Sequence, residues 1–288
     1  LSNTTGTDNV AVGSHSGDAV TTGSDNTFIG DNAGGGATTG SYNTAVGSGA
    51  LITLTTADAN TAIGYKALEA NTSGTDNTAL GFIVLDASST GSDNTAIGDN
   101  ALGANTTADN NTAVGSGALL VNTTGGSNVA VGSLALDANT TSNHNTAVGT
   151  SALGANTTGA SNVALGQGTL EANTTVSDLV AVGREALNAN TTGAGNTAVG
   201  RSALILNTTG DGNTAMGYLT LDVNSTGGYN TGVGYQALGA NTTASNNTAF
   251  GSEALKANTT GTDNVAVGSN AGDANTTGVD NTAIGDNA

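Results

Sequence analysis

Cysteine, proline and tryptophan are all absent from this chain of 288 residues, and aromatic residues make up only 3% of it. Without cysteine there are no disulfides and no thiolate metal sites; compartment stays unread, since repetitive surface proteins stack without cross-links. The absence of proline is expected where nearly every amide joins an inter-strand hydrogen bond. So few aromatics cannot build the thick core of an ordinary globular protein of this length, so the core must be thin. Four basic residues against 22 acidic ones give a formal net charge of −18, which speaks against nucleic acid or an anionic membrane as partner. No apolar run reaches membrane length, so no membrane insertion is expected, and export must be inferred from other features.

What is present is a period. The pattern NTAVG, in lightly varied copies, starts at Asn9 and recurs every seventeen residues to Asn281 without insertion or deletion. Low aromatic content and abundant glycine also mark disordered chains, but such segments drift in register and this one does not. A fixed period of this length is the signature of a solenoid, whose coils bury their apolar faces only against their neighbours. The expected fold is all-β: a parallel β-solenoid of seventeen 17-residue coils, with two or three short strands each. Residues 1–288 form one repetitive shaft with no linker. The chain opens at Leu1 partway through a coil and stops at Ala288 partway through another, which predicts a fragment of a longer fibre.

With NTAVG as positions one to five, the consensus is NTAVGxxALxANTTGxx. Position two is always Thr or Val and position four always apolar, from Val12 and Ile29 to Phe250 and Ile284. Strand alternation places both on one face, expected to point into the coil. Position nine, mostly Leu (Leu51, Leu68, Leu102), and position eleven, mostly Ala, supply a second inward strand face. Position ten mixes Asp18, Ile52, Glu69 and Lys256 and must face outward. Position three is Ala in every coil but those of Phe28 and Gly232, and alternation turns it outward. It forms either a smooth stripe for a partner, which position eight extends, or a small residue fitted to a crowded inner turn.

Position five is Gly throughout, including Gly47, Gly64, Gly81, Gly98, Gly115, Gly132 and Gly149, which suggests a positive φ or a corner too tight for a Cβ. Position fifteen, usually Gly as at Gly125, marks another corner. Position one carries Asn in every coil except that of Leu179; Asn43, Asn60, Asn77, Asn94, Asn111, Asn128 and Asn145 exemplify the column. At an inter-strand spacing of about 4.8 Å, stacked amides form a ladder. Position twelve is mostly Asn too. There the acceptor pattern for N-glycosylation gives an alternative at Asn71, Asn105, Asn122, Asn139, Asn156, Asn173, Asn190, Asn207, Asn224, Asn241 and Asn258.

Laid out in this way, the repeat resembles the NTAxGxxAL repeats of tail-fibre-like proteins of phages and bacteria, with the stretch Asn230–Thr243 especially close. It is similar, more distantly, to the head repeats of trimeric autotransporter adhesins. The resemblance covers every coil and implies a left-handed parallel β-roll with three associated chains. The adhesin repeat is shorter, so its strand positions do not transfer coil for coil, and nothing matches the self-cleaving chaperone domain that ends many tail fibres.

Chemistry has few members to work with. His15 and His144 are the only histidines and lie in different columns. Without clustered histidine or cysteine, a zinc site or a nucleophile–base pair has nothing to build from. Asp8 over Asp25, Asp76 over Asp93 and Asp263 over Asp280 stack at position seventeen, where a weak calcium site competes with plain exposed carboxylates. Arg184 and Arg201 stack at position six but make too small a basic patch to recruit a partner. The expected function is a non-enzymatic structural shaft of an extracellular fibre, on a cell surface or a virion, without cofactors. Its partners are copies of itself, in a lateral trimer, an end-to-end filament or both. The alternative is a ligand-binding solenoid, such as an ice- or glycan-binding protein, suggested by the Thr columns at positions two, thirteen and fourteen.

Overall fold

The computed structural model describes residues 2–288; Leu1, on which the expectation of a broken first coil rests, lies outside the described residues. Every described regular element is a three-residue β-strand made of positions two to four. The chain divides into two compact units, one ending at His144 and the other spanning Asn145–Ala288. The first carries β1 (Val10–Val12) to β8 (Val129–Val131), the second β9 (Thr146–Val148) to β17 (Thr282–Ile284). Within each unit consecutive strands pair in parallel, and each residue faces its counterpart seventeen positions on, as Thr44 faces Thr61 and Val163 faces Val180. Each unit is a parallel β-solenoid.

The coil holds one strand rather than two or three. The second strand expected at positions nine to eleven is replaced by turns, because positions seven and nine adopt positive φ: Lys66 and Leu68 at 55° and 52°, Leu134 and Leu136 at 55° and 51°. Such left-handed residues cannot extend a strand. For a non-glycine residue the conformation costs about 1–2 kcal/mol, and full burial of a Leu returns about 1.5–3 kcal/mol. Leu51, Leu68, Leu102 and Leu119 are all fully buried, so the turn is stable because it drives Leu into the core. Backbone hydrogen bonds still link neighbouring coils around this turn, as Leu51 N–H to the Ala67 carbonyl at 3.0 Å and Thr38 N–H to the Thr55 carbonyl at 3.0 Å.

The strand faces the opposite way from the sequence expectation. Ala45, Ala62, Ala79 and Ala96 at position three are fully buried, while positions two and four are half-buried or exposed. Position eight is buried as well, at Ala50, Ala67 and Ala101, and position eleven is not, as at Ala70 and Thr53. The inward columns are therefore one, three, eight, nine, twelve and fifteen. The reason is width. A Cβ built on Gly272, at position nine, lies 3.8 Å from Ala266 Cβ and 3.7 Å from Ala283 Cβ at position three. Leu at position nine thus reaches directly onto the inner face of the strand, where only a methyl group fits.

The exceptions obey the same geometry. Phe28 is the one large residue at position three, and it is buried. Its own coil carries Gly34 and the preceding coil Gly17 in place of Leu, and a Cβ on either would lie 2.8 Å or less from the Phe28 ring. One ring fills the space that two leucines leave. In the same way Gly232 makes room for Thr220, whose Cγ2 sits 2.6 Å from where a Cβ would stand.

Candidate functional site

Position five closes the strand. Gly98 and Gly149 have φ of 130° and 134°, and an added Cβ would lie 2.7 Å from the Gly115 carbonyl oxygen and 2.6 Å from that of Gly166. Gly47, Gly64, Gly81, Gly115 and Gly132 stack in the same column with φ between 135° and 150°. Side chains on either side of this corner point outward.

The Asn columns stay inside. Asn43, Asn60, Asn77, Asn94, Asn111, Asn128 and Asn145 are fully buried. Asn43 Oδ1 accepts from both the backbone N–H and the side-chain amide of Asn60, at 3.0 and 3.2 Å, and Asn77 and Asn94 continue the series. Position twelve joins this network. Asn60 and Asn71 both donate to the Gly74 carbonyl at 2.9 Å, as Asn111 and Asn122 do to the Gly125 carbonyl at 2.9 Å, so both lone pairs of one buried oxygen are used.

This placement corrects the glycosylation alternative. The eleven acceptors Asn71, Asn105, Asn122, Asn139, Asn156, Asn173, Asn190, Asn207, Asn224, Asn241 and Asn258 have no exposed surface. Their amides donate inside the coil, as Asn207 Nδ2 does to Asn190 Oδ1 and to the Gly210 carbonyl, both at 3.0 Å. The folded coil has no space for a sugar at that nitrogen.

His15 and His144 are exposed and sit in different columns, with His15 Nδ1 3.0 Å from Ser14 Oγ. Among the described residues no three potential metal ligands gather, and no cavity is present. The stacked aspartates at position seventeen are exposed. Burial in the turn at position ten raises the carboxyls of Asp86, Asp137 and Asp222 above their ordinary 3.8.

The feature that the sequence expectation turned inward is the outer face of the strand ladder. Ile63, Leu80, Met216, Phe250 and Val267 at position four are among the exposed large hydrophobics. In no coil does position two or four carry a charge. Known protein families, curated proteins and solved structures offer no match to this chain. Its functional surface therefore has to be read from its own geometry.

Just past the corner in sequence, at position six, stand two exposed aromatic pairs. Tyr65 and Phe82 stack with centroids 5.4 Å apart and planes 17° from parallel; Tyr218 and Tyr235 lie 5.9 Å apart and tilted by 30°. Lys66 Nζ sits 5.8 Å from the Tyr65 ring centre and the Arg201 guanidinium 5.5 Å from that of Tyr218. Lys66 also pairs with Glu69 at 3.0 Å, a contact that raises its pKa through the hydrogen bond and the charge together. The sequence held a signal for this surface: position four varies from Val to Phe with no compensating glycine, which no inner column of this narrow coil tolerates.

Proposed function

We propose that the chain is a non-enzymatic structural shaft of an extracellular fibre, and that copies of it associate laterally through the outer face of the strand ladder. The observation that carries the proposal is the repetition, within each unit, of one hydrogen-bonded coil that presents an apolar residue outward at position four. Uniform repetition suits load-bearing and extension better than recognition of a single ligand. The lateral contact is supported by the apolar column at position four. Summed over the coils of one unit, its exposed surface is on the order of several hundred Å², as large as the biggest apolar patch on a typical monomer. It is also where two chains of net charge −18 can approach with least repulsion, because no coil places a charge there.

Replacing Val114 and Val131 together by Asp tests the contact. Sedimentation of the wild type should report assemblies, and the variant should run as a single chain with its β signal intact. Unchanged assembly of the variant, or a wild type that is monomeric at every concentration, would overturn the proposal. Adsorption to ice is a second reading, favoured by the outward Thr at position two, as at Thr44 and Thr61. Leu80, Met216 and Phe250 interrupt the flatness that an ice lattice requires, so a fibre shaft accounts better for the same face.

A further inference from the structure

With no cysteine in the chain, a covalent tie between coils needs another pair of side chains. Tyrosine can supply one, because two phenols couple ring to ring on one-electron oxidation. Coupling requires two tyrosines held side by side and open to the oxidant, and the repeat sets residues seventeen apart side by side. Of the five tyrosines, only Tyr218 and Tyr235 have that spacing. Tyr42 stands between Asp25 and Ala59 in its column, Tyr229 between Gly212 and Asn246, and Tyr65 between Ser48 and Phe82.

Backbone hydrogen bonds hold the roots of the two rings in register on both sides. Gly234 N–H donates to the Met216 carbonyl at 2.8 Å and Gln236 N–H to the Tyr218 carbonyl at 3.1 Å. The ring centres lie 5.9 Å apart with planes tilted by 30°, and the two residues are 42% and 45% exposed. An oxidant therefore reaches both phenols. Exposed rings reorient on fast timescales, so their edges meet while the backbone stays fixed, and such positioning makes coupling a unimolecular event.

We propose that Tyr218 and Tyr235 form an oxidative cross-linking site, at which a peroxidase-type one-electron oxidant supplied with hydrogen peroxide staples two neighbouring coils through dityrosine. Each phenol gives up one electron and its hydroxyl proton. The two phenoxyl radicals then join through the ring carbons ortho to oxygen, forming one C–C bond. The hydrogens on those two carbons move to the phenolic oxygens, so both hydroxyls are restored, and one hydrogen peroxide is reduced to two waters. The product lacks two hydrogens and closes a loop of one coil, which restrains the unfolded chain as a disulfide does. The site needs no second chain, so it stands or falls separately from the lateral contact.

The other aromatic pair supplies a control. Tyr65 and Phe82 stack at 5.4 Å over the same backbone bonds, Gly81 N–H to the Ile63 carbonyl at 2.9 Å and Ile83 N–H to the Tyr65 carbonyl at 3.0 Å, but one ring has no hydroxyl. The full chain is oxidised with peroxidase and hydrogen peroxide over a series of dilutions, cleaved before Asp222 to separate Tyr218 from Tyr235, and mapped by tandem mass spectrometry. The Tyr218–Tyr235 link should exceed every other dityrosine several-fold, with a yield per chain that dilution does not lower. Tyr235→Phe, which keeps the ring, should abolish that link, and Phe82→Tyr should add a second one to Tyr65. Links that follow exposure instead, led by Tyr42 and Tyr229 at 67% and 68%, would overturn the site. So would a yield that falls with dilution, or singly oxidised Tyr218 and Tyr235 with no bond between them.

Discussion

Inside the coil, position three takes a methyl group and almost nothing else; outside, one residue later, position four takes Val, Ile, Leu, Met or Phe. On the inner face each departure is answered within the same coil or the one before it, Phe28 by Gly34 and Gly17, and Gly232 by Thr220. On the outer face Phe250 and Met216 stand beside ordinary neighbours and nothing compensates for their size. Constancy of volume therefore marks the side packed against a rigid neighbour, as close-packed interiors demand. Constancy of chemical class with freedom of volume marks a side that meets solvent or an adaptable partner. In a coil this narrow, hydrophobic size is a poor guide to burial.

The sharpest way to break that comparison is to make one substitution on both faces. Phe28→Ala should cost about 3–5 kcal/mol, because neither Gly17 nor Gly34 has a side chain with which to fill the cavity. Phe250→Ala, on a side chain 44% exposed, should stay within about 0.5 kcal/mol for the isolated chain. Denaturant melts of the two variants measure the difference, and equal losses would erase the distinction between the faces.

Overpacking gives the next largest effect. Ala113→Leu pushes three heavy atoms into the space held by the Leu column and should cost about 1–3 kcal/mol. Val114→Leu, on the adjacent residue, should be close to neutral by the same melts. If Val114→Leu proves the more damaging, the strand faces have been assigned the wrong way round.

The smallest effect lies on the turn at position ten. Burial holds the carboxyls of Asp137 and Asp222 above 3.8, so the folded chain binds those protons more tightly than the unfolded chain does. Their contribution to stability therefore grows as pH falls through the raised values and is complete below 3.8. Mild acidification should raise the thermal midpoint slightly, and Asp137→Asn with Asp222→Asn should flatten that rise. A rise of equal size in the double variant would assign it to the charge of the whole chain instead.

The period, the solenoid class and the glycine corner were legible in the sequence because each depends on local spacing. Seventeen residues return the chain to its start, and at position five only glycine accepts φ near 135° with a carbonyl directly against its Cα. The buried amide column at position one was legible too, since its identity hardly varies. The direction of the strand was not. Alternation yields two phases, and a shift of one residue exchanges the faces completely. Both phases here are free of charge, so the preference for burying the larger side chains selected positions two and four. What decided otherwise was the left-handed turn at positions seven and nine, which folds Leu across the coil and leaves room beneath the strand for a methyl group alone. That turn breaks the usual preference of Leu for negative φ, and only tertiary burial of the Leu offsets the cost, so no local rule announces it. The same turn moved Val12, Leu80 and Phe250 to the outer surface and took the position-twelve amides out of reach of a glycan.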